Sequence, residues 1–177
     1  MNSLVILMED REFSKIATVD IISQSEVSKS TFYKYFFDKY DLVNQMLEEF
    51  YSQLKLIFQQ AREKDSIVDF YQAFSQYLNH HHDTILCILN TKDDNINLRE
   101  KFQNLIKKDY LLSTKHNEFD ADYFALTFQW SVNYMLQQKR YITPGDIKEI
   151  DHKINLVELV KTYPQTPIYY FQPSFAK

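Results

Sequence analysis

The densest run of side chains able to bind or react is Ser28-Lys29-Ser30-Thr31-Phe32-Tyr33-Lys34-Tyr35-Phe36. Hydroxyls, ammonium groups and phenols at this density donate hydrogen bonds and positive charge, the chemistry that suits phosphate oxygens and base edges. Other reactive residue types are arranged less usefully. His80, His81 and His82 are adjacent, so on a helix they point about 100° apart and cannot converge on one ion. They read as a polar helix end favoured by the macrodipole. Asp93, Asp94 and Asn95 lack the spacing and the glycine of a calcium loop. Asp120 and Asp122 read as a charged helix start rather than an acid–base pair. Cys87 stands alone in the apolar run Ile85-Leu86-Cys87-Ile88-Leu89 and reads as a small buried thiol. No Ser-His-Asp or Cys-His arrangement carries a catalytic motif, so neither an enzyme nor a metal or other cofactor is expected.

The elements that must position the first run are short helices. Leu4, Val5, Leu7 and Met8 recur at helical spacing and predict a helix over about residues 3–11. A second is expected over about 18–25 with Ile21 and Ile22 inward, and a third from the N-cap Ser28 to near Tyr35. Two short helices joined by a tight turn, the second with small and basic residues near its start, form a helix-turn-helix, a build that lays one helix in a DNA major groove. Asp38 then caps a long fourth helix, whose stripe is Leu42, Val43, Met46, Leu47, Phe50, Leu54, Ile57, Phe58 and Ala61. Ser66 opens a helix with Ile67, Phe70, Tyr71, Phe74, Tyr77 and Leu78 on one side. Further helices are expected from Thr84 to Leu89, from Asn97, and over about 120–140, with Asp93–Asn95 as a loop. The 120–140 segment has two apolar stripes: Tyr123, Leu126 and Trp130 on one, and Phe124, Phe128, Val132, Met135 and Leu136 on the other. A helix of that kind packs on its own core and on a partner subunit. Thr143-Pro144 starts the last helix, with Ile147, Ile150, Ile154 and Val157 as its stripe. Three of the four prolines follow from Pro164, which predicts an extended tail.

Composition agrees with an all-α chain. There is one glycine, Gly145, so hairpin turns that need positive φ and phosphate-cradling glycine loops are not expected. Aromatic residues make up 16% of the 177, which implies a bulky core, an aromatic pocket, or both. No apolar run reaches the length of a membrane span, and the start lacks the basic flank and cleavage site of a signal peptide. A cytoplasmic protein with no membrane partner is the expectation. The net charge is −4, and the first fifty residues carry five basic against nine acidic side chains. Cations must therefore be clustered by folding if this region is to meet nucleic acid.

The run from Ser28 to Phe36, followed by Asp38-Lys39-Tyr40-Asp41-Leu42, closely resembles the signature of TetR-type transcription regulators. The likeness extends over about residues 4–47, with Glu26 standing where the family often has glycine and with Ala17-Thr18 at the start of the second helix. It implies a helix-turn-helix DNA-binding domain over 1–45, a helical regulatory and dimerisation domain over 46–163 and a tail over 164–177. Ser28 would cap the recognition helix and meet phosphate. Lys29, Ser30 and Thr31 would approach bases or backbone, and Tyr33, Lys34 and Lys39 would hold phosphates. Phe70, Phe74, Tyr77, Phe102, Tyr123, Phe124 and Phe128 read as core or, with the resemblance, as the lining of a ligand pocket. The implied partners are double-stranded operator DNA, an unidentified small-molecule effector and a second copy of the chain. The alternative is a diverged ligand-binding or protein-interaction module of the same fold with weak or no DNA binding.

Overall fold

Helices begin where the sequence places oxygen-bearing caps. The computed structural model of the chain describes residues 2–113 and 117–156. Three short helices come first: α1 (Asn2–Asp10), α2 (Thr18–Ser25) and α3 (Lys29–Tyr35), with a 3₁₀ turn at Phe13–Lys15 between the first two. The long α4 (Lys39–Glu63) follows, then α5 (Ile67–His80), α6 (His82–Asn90), α7 (Leu98–Ser113), α8 (Glu118–Gln137) and α9 (Pro144–Ile154). The side chains of Ser28, Asp38, Ser66, Asn117 and Thr143 accept from backbone amides two or three residues on, satisfying donors that a helix start leaves open. Among the described residues the architecture is all-α apart from one small hairpin, β1 (Lys92–Asp93) with β2 (Ile96–Asn97). Val157 and the proline-bearing tail lie outside the described residues.

The hairpin stands where the sequence predicts only a loop. Asp93 Oδ1 accepts from the backbone N of Asn95 at 3.0 Å and from its side chain at 2.9 Å, which closes the turn without glycine or positive φ. The hairpin also reaches the N-terminal helices. Tyr40 donates its hydroxyl to Asp93 Oδ1 at 3.2 Å, and the Tyr40 ring meets Phe13 edge-on with centroids 5.6 Å apart. Nearby, α6 packs on α1, with the Cys87 thiol directed at the Met8 sulfur, 3.2 Å away. Burial pushes that thiol up to about 12, so it is an inert packing group.

The body is held by stacked rings. Phe58 stacks on Phe70 at 5.0 Å, Phe70 on Phe74 at 5.5 Å and Phe74 on Phe128 at 6.0 Å. Phe124 stacks on Phe128 at 6.0 Å and on Tyr110 at 4.6 Å, while Phe102 leans on Phe50 at 5.2 Å. One continuous aromatic cluster thus ties α4, α5, α7 and α8 together. The expected stripe of α4 is buried at every position.

Both faces of α8 are apolar, and they meet different surroundings. Phe124, Phe128, Val132, Met135 and Leu136 are buried in the body. Phe119, Tyr123, Leu126, Trp130 and Tyr134 are each half or more exposed. Their spacing of three and four residues makes one continuous stripe along the helix, on which Trp130 and Tyr134 stack at 5.2 Å.

Polar contacts close α9 onto α8 and α5. Arg140 forks onto both oxygens of Asp146, at 2.9 and 2.6 Å, while Asp146 also accepts from the Thr143 amide at 2.8 Å. The buried Asp151 accepts a short hydrogen bond from Tyr71 of α5. The Arg140 guanidinium, then the Thr143 donors, hold the Asp146 carboxyl well below the usual carboxylate range. A depressed carboxyl stabilises the fold above its unfolded pKa of about 3.9, and that stability fades as the pH falls through the folded value. Asp146→Asn should therefore cost about 1–2 kcal/mol at neutral pH in urea titrations. The gap from wild type should close progressively in acid. A gap independent of pH would contradict this account.

Candidate nucleic-acid interface

The turn into α3 is set by two local devices. Glu26 ends α2 with φ 56° and ψ 18°, a left-handed cap that glycine adopts with less strain. Ser28 then starts α3: its Oγ accepts from the Thr31 amide at 3.1 Å and lies 2.9 Å from Ser30 Oγ and 2.8 Å from Thr31 Oγ1. The three hydroxyls are linked to one another at the helix start. The start of α2 is built the other way round. Its cap is Ala17, which has no side-chain oxygen, while Asp20 reaches back to the Ala17 amide at 2.9 Å and pairs with Arg11 at 3.3 Å.

On α3, Phe32 is buried and packs on Phe36 at 5.3 Å, which fixes the inward side of the helix. Lys29, Ser30, Thr31, Tyr33 and Lys34 are exposed. Lys29 with Tyr33, and Ser30 with Lys34, form two adjacent i, i+4 ridges, the first flanking Phe32 and the second opposite it. The Tyr33 ring is braced edge-on against Phe32 at 5.5 Å, and the Lys34 ammonium lies 5.4 Å from the Tyr35 ring centroid. Six of the seven candidate DNA contacts, counting the cap Ser28, therefore lie together on one exposed segment.

Lys39 does not join them. Its ammonium is buried and donates to the carbonyls of Phe13 and Ile16, each at 2.9 Å, and of Ser14 at 3.4 Å. It also lies over the rings of Phe13 at 4.5 Å and Tyr40 at 5.1 Å. The expectation that Lys39 holds phosphate is corrected: its donors are spent on the carbonyls around the 3₁₀ turn. Residues 13–15 contain neither proline nor glycine to mark that turn.

Charge in this region is sorted by the same local bonds. Asp20, Asp38 and Asp41 accept from backbone amides at 2.9, 2.8 and 2.8 Å. Lys15 pairs with Glu12 at 2.9 Å, and Lys15 in turn holds the Glu12 carboxyl below its usual range. Lys29 and Lys34 make no ion pair among the described residues. The free positive charge of this part of the chain is thus gathered on α3 despite the acidic total.

The proposed pocket set is divided. Phe70, Phe74, Phe102, Phe124 and Phe128 are buried in mutual ring contact, and Tyr77 stacks on Phe50 at 6.0 Å. Tyr123 is 57% exposed on the outer stripe of α8, so its assignment to a pocket is corrected: it shares a helix but not a face with Phe124 and Phe128. None of the seven lines the surface grooves of about 310 Å³, formed by Val5, Ile6, Glu9 and residues 79–84, and of about 490 Å³, formed by residues 95–97 and part of α7.

Comparison with known proteins finds no family model, no curated protein and no solved structure that matches this chain.

The geometry separates the two lysines of one sequence motif by role. Lys39→Met should destabilise the fold by about 1–3 kcal/mol, because it leaves the buried Ile16 carbonyl without a donor and the Phe13 carbonyl with one fewer. Lys34→Met should change the urea midpoint by less than about 0.5 kcal/mol. Equal effects would remove the distinction.

Proposed function

We propose that the chain is a one-component transcription regulator of the TetR type: a homodimer that binds operator DNA through α3 and answers to a small-molecule effector. The observation that carries the reading is the exposed Lys29–Ser30–Tyr33–Lys34 surface of α3, which leaves Phe32 buried on the inward side and holds the unpaired cations of an otherwise acidic region. In this reading α2 and α3 are the helix-turn-helix, and residues 1–45 are the DNA-binding head. Ser28, Lys29, Ser30, Thr31, Tyr33 and Lys34 are its contacts. Two copies would present two such helices to successive major grooves.

The outer stripe of α8 supports the dimer. Five large apolar side chains on one face of a helix exceed what scattered surface exposure requires, and a second copy of the same stripe is its natural complement. An interface of this kind buries on the order of 1,500 Å². The effector enters through the family resemblance, and it would act by shifting the separation of the two heads. A ligand seated among Phe70, Phe74, Phe102, Phe124 and Phe128 would have to part rings that are now in contact. The second reading, a protein-interaction module of the same fold, is favoured by one fact: five basic against nine acidic side chains in the first fifty residues. The salt dependence of DNA binding discriminates between them.

Lys29→Ala and Lys34→Ala should each weaken binding to duplex DNA and flatten the slope of log affinity against log salt by about one unit. Lys39→Ala, scored in its folded fraction, should leave that slope unchanged. An unaltered slope in the Lys29→Ala, Lys34→Ala double variant would overturn the assignment of α3.

Trp130 is 64% exposed, so Trp130→Glu should keep the helix content while converting a dimer to a monomer in sedimentation at micromolar concentration. Phe128→Glu, inside the ring cluster, should unfold the body instead. A wild-type chain that sediments as a monomer would sink the dimer.

A further inference from the structure

The exposed face of α3 has a narrow chemical vocabulary. We infer that, resting on the regulator reading above, this face specifies an A·T-weighted half-site: thymine methyl groups are read by Tyr33, and at most one guanine is read, by Lys29. Side chains that read guanine with two hydrogen bonds are arginine and lysine; asparagine and glutamine read adenine; apolar groups read the thymine methyl. On α3 there is no arginine, and the lysines are Lys29 and Lys34. Lys34 sits in the last turn, folded over the Tyr35 ring, and suits backbone phosphate. Lys29, in the first turn, is left as the one reader able to address guanine O6 and N7.

The hydroxyls add little discrimination. Ser28 Oγ is hydrogen-bonded to both Ser30 Oγ and Thr31 Oγ1, which engages two of the three hydroxyl donors, and a serine or threonine hydroxyl does not select among bases. Tyr33 is the exposed aromatic residue of the face, at 52%, and its ring lies edge-on against Phe32. A braced aromatic ring meets a C5-methyl group by contact alone. Val27, 40% exposed just before the cap, adds a second apolar group at the same end. Gln24, exposed near the end of α2, is the one amide in the two helices, and an amide also favours adenine. Glu26, the exposed acid of the turn, lies outside α3.

The test is selection with the 177-residue chain on a random duplex library at low salt. An A·T-weighted motif with no more than one required G·C pair in each half-site supports the inference. A motif with two or more required G·C pairs per half-site overturns it and leaves the regulator reading standing. No enrichment over the starting library overturns both. On the selected site, replacing thymine by uracil removes only the methyl groups, and each contacted methyl should cost about fourfold in affinity. Tyr33→Ala should abolish that sensitivity, whereas Tyr33→Phe should retain it. Lys29→Ala should level the preference at the single G·C pair without altering the thymine positions. Uracil sensitivity that survives Tyr33→Ala would remove Tyr33 as the reader.

Discussion

The Lys39 ammonium occupies the point where three backbone carbonyls of one turn converge, and the arrangement of the N-terminal helices on α4 rests on that contact. The Phe13–Lys15 turn ends before the next helix begins: the Phe13 carbonyl accepts from the Ile16 amide at 3.1 Å, while the buried Ile16 carbonyl relies on Lys39. A buried carbonyl without a donor is costly, and a lysine at the first position of α4 satisfies three at once. The rings of Phe13 and Tyr40 enclose the charge and give it a favourable π surface in place of water. The orientation of α4 relative to α1, α2 and α3 is thereby fixed by a charged group that never reaches the surface.

Much of the fold was legible because its signals are local. Ser28, Asp38, Ser66 and Thr143 announce their helices by chemistry within three residues, and the stripe of α4 repeats for many turns. The two faces of α8 were also readable from spacing, though not which one would be outward. That depends on Phe58, Phe74 and Phe102 arriving from other helices to claim Phe128. Tyr123 was misplaced for this reason: an aromatic residue gives no sign of its side when both sides are apolar. Lys39 was misplaced for a related one. A lysine near a cationic motif resembles a surface group until the carbonyls that need it are in place. The hairpin at 92–97 was missed because an aspartate side chain supplies the turn that glycine usually marks.

Net charge proved a coarse guide to local electrostatics. The acidic total of the first fifty residues includes aspartates whose oxygens cap helices or hold turn amides, groups positioned by backbone donors rather than by an outside partner. Lys15 is balanced by Glu12, and Lys39 is enclosed. What remains on the outer face of α3 is a small cationic patch with an aromatic ring in it. The patch arises as much from the removal of neighbouring charges as from an excess of lysine.

The contact between Tyr40 and Asp93 joins positions 53 residues apart in the chain. Its consequence concerns the order of folding. The helices around the 3₁₀ turn are complete in sequence by residue 45, yet Tyr40 and Met8 wait for partners on α6 and the hairpin beyond it. During synthesis, at roughly 5–20 residues per second, that leaves several seconds in which the N-terminal helices exist without their far wall. A fragment ending at residue 45 would keep that gap permanently. The first three helices are thus an early-made part of a late-closing structure, and their final shape is inherited from the helices that follow.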